Sequence, residues 1–229
     1  MKMVELFSGT GHMAGAFKRR GHDAYTIDFD CDADLKADVL TLSREDIVNL
    51  CGGEPDFIWA SPPCQGFSVA TIGRNWRKVI DGVYEPKTDT ARMGLQLLSY
   101  TLEILTWFPK AKYCIENPRG MMRVMGMMQN RNRWTVTFCQ YGETRMKPTD
   151  VWSNLDTWHP RPPCKNSDPC HERAPRGAKT GTQGVKGAYL RAALPEALCD
   201  EVAEAVEAQF TGHPTTAVER GQLNLFKED

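Results

Sequence analysis

Short apolar runs alternate with longer segments whose apolar residues recur every three or four positions along the first 154 residues. The short runs predict buried strands, and the longer segments predict amphipathic helices. The predicted strands are MVELF (3–7), DAYTI (23–27), KADV (36–39), DFIWA (56–60), KYCI (112–115), WTVTFC (134–139) and DVWSN (150–154). The predicted helices are 12–20, 44–51, 90–107, a methionine-rich helix after residue 120, and 193–210. This alternation predicts an α/β fold with a mostly parallel sheet.

The alternation stops after residue 154, which predicts four regions. Residues 1–154 form the α/β domain. Residues 155–190 are rich in Pro, Gly, Cys and charge without periodicity, so we expect a small, irregular, basic lobe. We expect the helical segment 191–210 to pack back on the α/β domain and the polar segment 211–229 to be a flexible tail.

The composition is typical of a soluble globular protein, with 41% hydrophobic and 25% charged residues. The net charge of −1 over 229 residues means that any nucleic-acid surface must be local. The chain has no apolar run of membrane-spanning length and no signal-like N-terminus, so we expect a cytoplasmic monomer without membrane contact. Its 8 cysteines are then expected to be thiols, metal ligands or nucleophiles rather than disulfides.

Candidate chemistry follows the ends of four predicted strands: FSGTG (7–11), Asp28, SPPCQGFS (61–68) and Glu116–Asn117. Ligands of open parallel sheets bind at the carboxyl ends of strands. The glycines of FSGTG let the backbone approach a ligand closely, and an acid such as Asp28 suits a ribose diol. Together they indicate a nucleotide or S-adenosylmethionine site, although SGTG alone also fits a plain tight turn.

Cys64 follows two prolines that stiffen the chain and remove backbone donors. A thiol on a rigid loop at a sheet edge is more typical of a nucleophile than of a packed core residue. Glu116 and Asn117 follow a neighbouring strand. A carboxyl group beside an amide can bind the polar edge of a nucleobase.

The motifs ELFSGTG, SPPCQGFS and IENP, in this order and spacing, resemble those of the C5-cytosine DNA methyltransferases. The resemblance covers residues 3–154 and the final helix. It implies a Rossmann-like S-adenosylmethionine-dependent methyltransferase sheet, here with a reduced irregular small lobe, acting on double-stranded DNA. The Cys64 thiolate would add to C6 of a flipped cytosine, and C5 would then accept the methyl group of S-adenosylmethionine.

The resemblance also assigns residues to roles. Glu116 would bind or protonate N3 of the base, and Asn117 would help to hold the base. The cofactor would be bound by Phe7, Ser8, Gly9, Thr10, Gly11, Asp28, Asp38 and Pro62, with Asp28 on the ribose. Asp38 would bind the adenine amino group, or is simply a surface acid.

Three departures from the family pattern are visible. IENP replaces the usual ENV, and Pro118 is tolerated at a first helical turn. The usual QxRxR element is replaced by ETRMKPT, which makes Arg145 a catalytic candidate and retains a cation at Lys147; a lysine cannot copy an arginine fork. The usual GN before the last helix is replaced by RAALPEAL.

Residues 66–92 would be the mobile loop that closes over flipped DNA. They contain five Lys or Arg and three acids, with Trp76 and Tyr84 among them. Basic and aromatic residues suit phosphate contact and base displacement. A solvated surface loop is the alternative.

The lobe 155–190 is too small for the family's usual target-recognition domain, so we expect it to recognise a short or degenerate DNA site. Residues 161–191 contain seven Lys or Arg and two acids, which favours contact with phosphates. The same lobe has His159, Cys164, Cys170 and His171, a candidate structural zinc site in which Cys139 is an alternative to His159. Free thiols in an irregular loop are the other interpretation.

The tail ends in QLNLF, whose anchors would be Gln222, Leu223, Leu225 and Phe226. This motif resembles the peptide with which bacterial DNA-processing proteins bind the replication sliding clamp, and it suggests a bacterial or phage host. Packing of the tail on the core is the alternative. Two other functions stay open: an RNA cytosine-5 methyltransferase, and a non-catalytic DNA- or clamp-binding protein.

Overall fold

A computed structural model describes residues 1–172 and 187–212 of the chain. The strands are β1 (Lys2–Leu6), β2 (Asp23–Asp28), β3 (Leu35–Lys36), β4 (Phe57–Ala60), β5 (Trp76–Ile80), β6 (Val83–Pro86), β7 (Lys112–Pro118), β8 (Arg133–Thr137) and β9 (Pro148–Ser153). The α-helices are α1 (His12–Arg19), α2 (Arg44–Cys51), α3 (Ile72–Asn75), α4 (Asp89–Trp107), α5 (Ala188–Ala192) and α6 (Glu196–Thr211).

Seven strands form one sheet in the order β3-β2-β1-β4-β7-β9-β8. The first five are parallel, and β9 runs antiparallel between β7 and β8. The chain moves from β1 to one side through β2 and β3 and then returns to β4 on the other side. This reversal places the loops after β1 and β4 side by side at the carboxyl edge, where such sheets bind ligands. The predicted Rossmann-like α/β fold is confirmed.

Helices cover both faces of the sheet. On one face, α1 and α6 pack over β1 and β4 through buried side chains that include Phe17, Phe57 and Val202. On the other face, α2 and α4 pack through residues that include Ile47, Ile58 and Ile104. Burying apolar area on both faces explains why the central strands read as continuous apolar runs. None of the described helices is long and apolar enough to span a membrane.

Three predicted elements differ from the structure. The methionine-rich segment forms two short 3-10 helices, Met121–Val124 and Gly126–Met128, instead of an α-helix. Met125, between them, has an extended backbone, and Gly126, the first residue of the second 3-10 helix, disfavours a continuous helix. The strand predicted at 134–139 ends at Thr137, because residues 138 and 139 turn into a 3-10 helix. The third strand is only Leu35–Lys36, so it does not include Asp38.

Candidate active site

Cys64 begins a short 3-10 helix, Cys64–Gly66, that follows the carboxyl end of β4. The Trp76 indole nitrogen donates to the carbonyl oxygen of Gly66 at 2.7 Å, and Asn75 Nδ2 donates to that of Gln65 at 3.0 Å. Both donors are almost fully buried. The backbone under the thiol is therefore held in place, while the Cys64 side chain stays partly exposed.

Gly66 allows this loop to lie directly on α4. A Cβ atom at this position would come within 3.0 Å of the Thr90 carbonyl oxygen and within 3.5 Å of the Gly94 Cα. A side chain would have to push the loop away from the helix, because both neighbours are backbone atoms. The glycine two residues after Cys64 is thus explained by close packing.

Trp76 is buried, whereas the sequence predicted that it lies on a mobile loop and contacts DNA. It is 4% exposed and its ring lies 5.9 Å from that of Phe67, so it supports the Cys64 loop from inside the protein. Most of residues 66–92 are ordered as α3, the β5–β6 hairpin and the start of α4. Three exposed apolar side chains of this region are instead at the hairpin tip, Val79, Ile80 and Val83, and a fourth, Val69, follows the Cys64 loop.

Glu116 and Asn117 lie just before the last residue of β7, inside the strand rather than after it as predicted. Because β7 lies parallel beside β4, its carboxyl end meets the Cys64 loop. Asn117 Nδ2 donates to the buried Pro62 carbonyl oxygen at 2.7 Å. The carboxyl of Glu116 is hydrogen-bonded to the Ser61 side chain. Both side chains therefore connect β7 to the segment that precedes Cys64.

Burial and charge set the protonation of this group. Burial raises the pKa of the Cys64 thiol, and the Glu116 carboxyl raises it further, while the charges of Lys147 and Arg191 act in the opposite direction. Burial also raises the pKa of Glu116, against the opposing charge of Lys147. A raised pKa makes Glu116 a better proton donor near neutral pH.

Lys147 is the cation that acts on both of these groups. Its Nζ donates to the Arg191 carbonyl oxygen at 2.8 Å and lies 4.1 Å from the centre of the Phe138 ring. Burial lowers its pKa, and the nearby Glu116 charge raises it. Lys147 has a φ of 31°, a conformation that residues other than glycine rarely adopt.

Arg145, the predicted catalytic cation, is buried and paired with Glu143, to which its Nε donates at 2.7 Å. Lys147 lies in the same segment, ETRMKPT, that replaces the usual QxRxR element. The sequence alone gave no reason to prefer Lys147 over Arg145 as the cation of the site. The preference depends on α5, which supplies the carbonyl that holds the lysine and comes 44 residues later in the chain.

The predicted cofactor loop 7–11 has an unusual backbone. Phe7, Gly9 and Gly11 all have positive φ angles, of 57°, 50° and 66°. The strain at Phe7 is of the kind that collects at functional sites. The hydroxyl of Ser8 is buried without a hydrogen-bond partner. The loop thus combines three positive φ angles with a buried hydroxyl, that of Ser8, that has no hydrogen-bond partner.

Asp28 lies at the end of β2, against this loop. Its carboxylate accepts hydrogen bonds from the backbone N–H groups of Gly9 at 2.9 Å, Asp30 at 2.9 Å and Cys31 at 3.0 Å. Burial alone would raise the pKa of this carboxyl, but the hydrogen bonds outweigh it and hold the pKa below its usual value. Asp28 is therefore a fixed negative charge at the edge of the site.

Asp38 and Phe29 lie near the same end of the sheet. Asp38 caps a 3-10 helix, accepting a hydrogen bond from the Leu40 backbone N–H at 3.0 Å. Phe29 follows Asp28 directly and is 65% exposed. An exposed aromatic face beside a carboxylate can contact a ligand ring. Sequence reasoning overlooked Phe29, although its position directly after Asp28 was a usable signal.

Buried polar atoms without partners concentrate in the predicted site. Within residues 1–172 and 187–212 they are Ser8 Oγ, Glu116 Oε1, Asn117 Oδ1 and Arg145 Nη1. Nearly all buried polar groups in folded proteins are hydrogen-bonded, so each exception calls for an explanation. All four belong to residues that the sequence assigned to catalysis or cofactor binding. A site that hydrogen-bonds its ligands explains the four together.

A second cluster is formed by other residues. Cys139, Cys164, Cys170 and His171 bring their side-chain ligand atoms within 4.8 Å of one another. His159 is not part of this group, because its ring packs edge-on against Trp134 with the centroids 6.2 Å apart. Cys139, the alternative to His159 in the sequence, takes its place in the cluster.

Two sequence predictions fall outside the described residues. The clamp-binding anchors Gln222, Leu223, Leu225 and Phe226 are in the segment 213–229. Four of the basic residues of the lobe, Arg173, Arg176, Lys179 and Lys186, are in the segment 173–186.

Comparison with known proteins gives matches in sequence and in structure. No protein-family model matches the chain. The chain is 30% identical over 220 residues to a "Probable DNA (cytosine-5)-methyltransferase" of Frog virus 3 (isolate Goorha), covering 88% of this chain and 98% of the viral protein. Its structure is similar to that of the Entamoeba histolytica methyltransferase EhMeth, with a TM-score of 0.50 and 15% identity over 72% of this chain and 57% of that one. The S. pombe Dnmt2 methyltransferase matches with a TM-score of 0.44 and 17% identity over 67% of this chain and 48% of that one.

The chain thus spans about half the length of the two solved structures and almost the whole of the viral protein. At 15% identity, the likeness to EhMeth supports the fold alone. The viral match extends over both the α/β domain and the lobe, and it is independent of the geometry of the site. On this match, the chain belongs to the cytosine-5 methyltransferase family.

Proposed function

We propose that this protein methylates C5 of cytosine in double-stranded DNA, with S-adenosylmethionine as methyl donor and Cys64 as nucleophile. The observation that carries the proposal is the set of four buried, unpartnered polar atoms, all in the predicted site. DNA is favoured over RNA as substrate because the viral relative, which matches 88% of the chain, is named for DNA.

The residues at the carboxyl ends of β1 and β2 fit S-adenosylmethionine. The Ser8 hydroxyl is a free hydrogen-bonding group, and the space around the Gly9 Cα is open, because a Cβ atom at this position would meet nothing within 4 Å. The Asp28 carboxylate would bind the ribose hydroxyls, and Phe29 would contact the adenine. The bound cofactor would supply the electrophilic methyl group that C5 accepts.

Cys64 would act as the thiolate that adds to C6 of the cytosine. A thiol whose pKa is raised by burial is a poor nucleophile unless a cation stabilises the thiolate. Lys147 and Arg191 provide that positive charge. Glu116, whose pKa is also raised, would donate a proton to N3 and draw electrons away from C6. After C5 has accepted the methyl group, water or another base would take the C5 proton, the Cys64 thiolate would leave C6, and the N3 proton would return to Glu116, which completes the cycle.

Asn117 would both position the loop and bind the base. Its Nδ2 is committed to the Pro62 carbonyl, whereas its Oδ1 is buried without a partner. An amide oxygen is an acceptor, so Oδ1 is suited to the exocyclic amino group of cytosine. Recognition of this amino group would favour cytosine over thymine.

The β5–β6 hairpin would contact the duplex. Its exposed tip carries Val79, Ile80 and Val83 and is flanked by the exposed cations Arg77 and Lys78. Both cations pair with acids at the surface, and such exposed pairs are weak enough to be exchanged for phosphates. Apolar side chains that are inserted between base pairs can displace a base from the stack, while neighbouring cations bind the phosphates.

Transfer of labelled methyl from S-adenosylmethionine tests the proposal. Wild-type protein and Cys64→Ala would be compared on unmethylated duplex DNA and on structured RNA, with the product hydrolysed to nucleosides. We expect 5-methyl-2′-deoxycytidine from the wild-type protein on DNA and none from the variant. Product from RNA alone would overturn the choice of substrate, and product from Cys64→Ala would overturn the nucleophile.

The tail motif supports a partner for the same protein: a bacterial-type sliding clamp, which would raise the local concentration of the enzyme at newly made DNA. Leu223, Leu225 and Phe226 supply the apolar anchors of the motif. We expect the full chain to co-elute with a purified clamp, and Leu225→Ala plus Phe226→Ala to abolish this. Asn224→Ala, between the anchors, is the matched control and should still bind. Co-elution that survives the double substitution would refute the docking mode.

A further inference from the structure

Three cysteines and one histidine from two parts of the chain converge beside the sheet. Cys139 lies in the 3-10 helix Phe138–Tyr141, directly after β8. Cys164, Cys170 and His171 belong to the lobe that follows β9. Thiolates and imidazole are the preferred ligands of zinc in proteins. We propose that these four residues bind one structural Zn²⁺ that fastens the lobe to the α/β domain.

Three of the spacings between the ligand atoms are close to those of a tetrahedral site. Around zinc, two sulfurs lie about 3.8 Å apart, and a sulfur and a nitrogen about 3.5 Å apart, given bond lengths of about 2.3 and 2.0 Å. His171 Nδ1 is 3.6 Å from the sulfurs of both Cys164 and Cys170, and the sulfurs of Cys139 and Cys170 are 3.6 Å apart. The Cys139–Cys164 pair, at 3.1 Å, must open by about 0.7 Å, and the remaining pairs of ligand atoms lie within 4.8 Å of each other.

A disulfide explains the cluster less well. The 3.1 Å between the sulfurs of Cys139 and Cys164 is well beyond the roughly 2.05 Å of an S–S bond. A bond between these two would also leave Cys170 and His171 gathered around it without a reason. Four protein ligands fill a tetrahedral ion completely, so the metal would have no open position for catalysis and its role would be structural.

The described part of the lobe lacks regular secondary structure, so a metal would add to its stability. Residues 154–172 form no helix or strand, and an irregular segment of this length has little core of its own. Among its contacts with the domain, the Cys164 N–H donates to Thr137 Oγ1 at 3.0 Å, and the Glu172 N–H donates to the Thr144 carbonyl at 2.8 Å. Arg161 adds a hydrogen bond to the Gln140 carbonyl at 2.7 Å.

All three contacts reach the end of β8 or the connection from β8 to β9, which also carries Arg145 and Lys147. A metal that bridges Cys139 to the lobe would therefore fix the lobe relative to the cation that acts on Cys64. DNA contacts made by the lobe would then be held in register with the active site.

Metal content and X-ray absorption of the purified full-length protein test the proposal independently of methyltransferase activity. Protein purified without chelator should contain one zinc per chain, with three sulfurs at about 2.3 Å and one nitrogen at about 2.0 Å. Zinc-free protein with disulfides, or a zinc shell of oxygen and nitrogen only, would overturn it.

Variants identify the ligands. Cys139→Ser and Cys170→Ser should weaken zinc binding by more than the roughly 100-fold that loss of an outer-sphere partner costs. Cys170 is exposed, so its replacement leaves no cavity in the core. His159→Ala, the matched control, should keep one zinc per chain. Full zinc retention in both cysteine variants, or loss in His159→Ala, would refute the ligand set.

Removal of the metal should also free the lobe. We expect a chelator to make the bond between Lys165 and Asn166 sensitive to trypsin and added ZnCl₂ to restore its protection. Equal cleavage of this bond with and without zinc would contradict the fastening role.

Discussion

Asn117→Ala probes the connection between β7 and the nucleophile loop. The substitution removes the 2.7 Å hydrogen bond from Asn117 Nδ2 to the Pro62 carbonyl, two residues before Cys64. Pro62 is buried, so its carbonyl loses its partner without gaining water. An unsatisfied buried acceptor costs about 1–3 kcal/mol of folding stability. Small domains are stable by about 5–15 kcal/mol, so the variant should still be folded in the assay.

The loss of activity should be larger than the loss of stability explains. A displacement of about 1 Å at a catalytic group can cost about 100-fold in rate. We therefore expect kcat for methyl transfer to fall by about 10–100-fold, measured with saturating DNA and S-adenosylmethionine, while urea denaturation gives the change in stability.

Asn154→Ala is the matched control. Asn154 Oδ1 accepts a hydrogen bond from the Tyr113 backbone N–H, also at 2.7 Å, near the other end of β7. This variant should lose a similar amount of stability, about 1–3 kcal/mol, and keep kcat within about 2-fold. Equal kcat for Asn117→Ala and Asn154→Ala would refute the positioning role of Asn117.

Three further variants test the electrostatics and the cofactor site. Lys147→Met should raise the pKa of Cys64, because the ammonium favours the thiolate, and so shift the rising limb of the kcat/KM–pH profile to higher pH, whereas Lys147→Arg should not. Burial raises the pKa of Glu5 from 4.5 to about 8, so the free energy of unfolding should fall by roughly 1 kcal/mol per pH unit between these two values and stop falling above the higher one. Glu5→Gln should remove this slope in urea titrations. Phe29→Ala should raise the KM for S-adenosylmethionine about 10-fold by loss of aromatic contact, with little change in melting temperature because the ring is 65% exposed.

Each of these has a contradicting outcome. A pH-independent loss of rate in Lys147→Met would mean that the lysine acts by contact rather than by charge. An unchanged pH slope in Glu5→Gln would assign that slope to other groups. An unchanged KM in Phe29→Ala would exclude Phe29 from the adenine site.

The sequence predicted the parallel core because its strands are short apolar runs buried on both faces, such as FIWA at 57–60. It did not predict the β5–β6 hairpin, whose residues are mostly exposed and have no apolar period. Trp76 was misjudged for a related reason. Its burial depends on Phe67 and Gly66, and local sequence does not show that contact.

The sequence could predict those residues of the candidate site that lie at the ends of strands. Cys64 and Glu116 come together because β4 and β7 are parallel neighbours, which the alternation of strands and helices favours. The role of Lys147 was not predictable, because it depends on the α5 carbonyl of Arg191 far along the chain. For the same reason the choice of Cys139 over His159 required the fold, since β8 brings Cys139 to the lobe.

Covalent trapping on duplex DNA tests the central claim most directly. Fluorine at C5 of cytosine cannot leave as a proton does, so a 5-fluorocytosine duplex should hold the enzyme as an adduct after the methyl group has been transferred. We predict a protein–DNA adduct that depends on S-adenosylmethionine, with the mass of the modified nucleotide on the peptide that contains Cys64. An adduct on another residue, or none from an enzyme that methylates ordinary cytosine in DNA, would contradict the proposed mechanism.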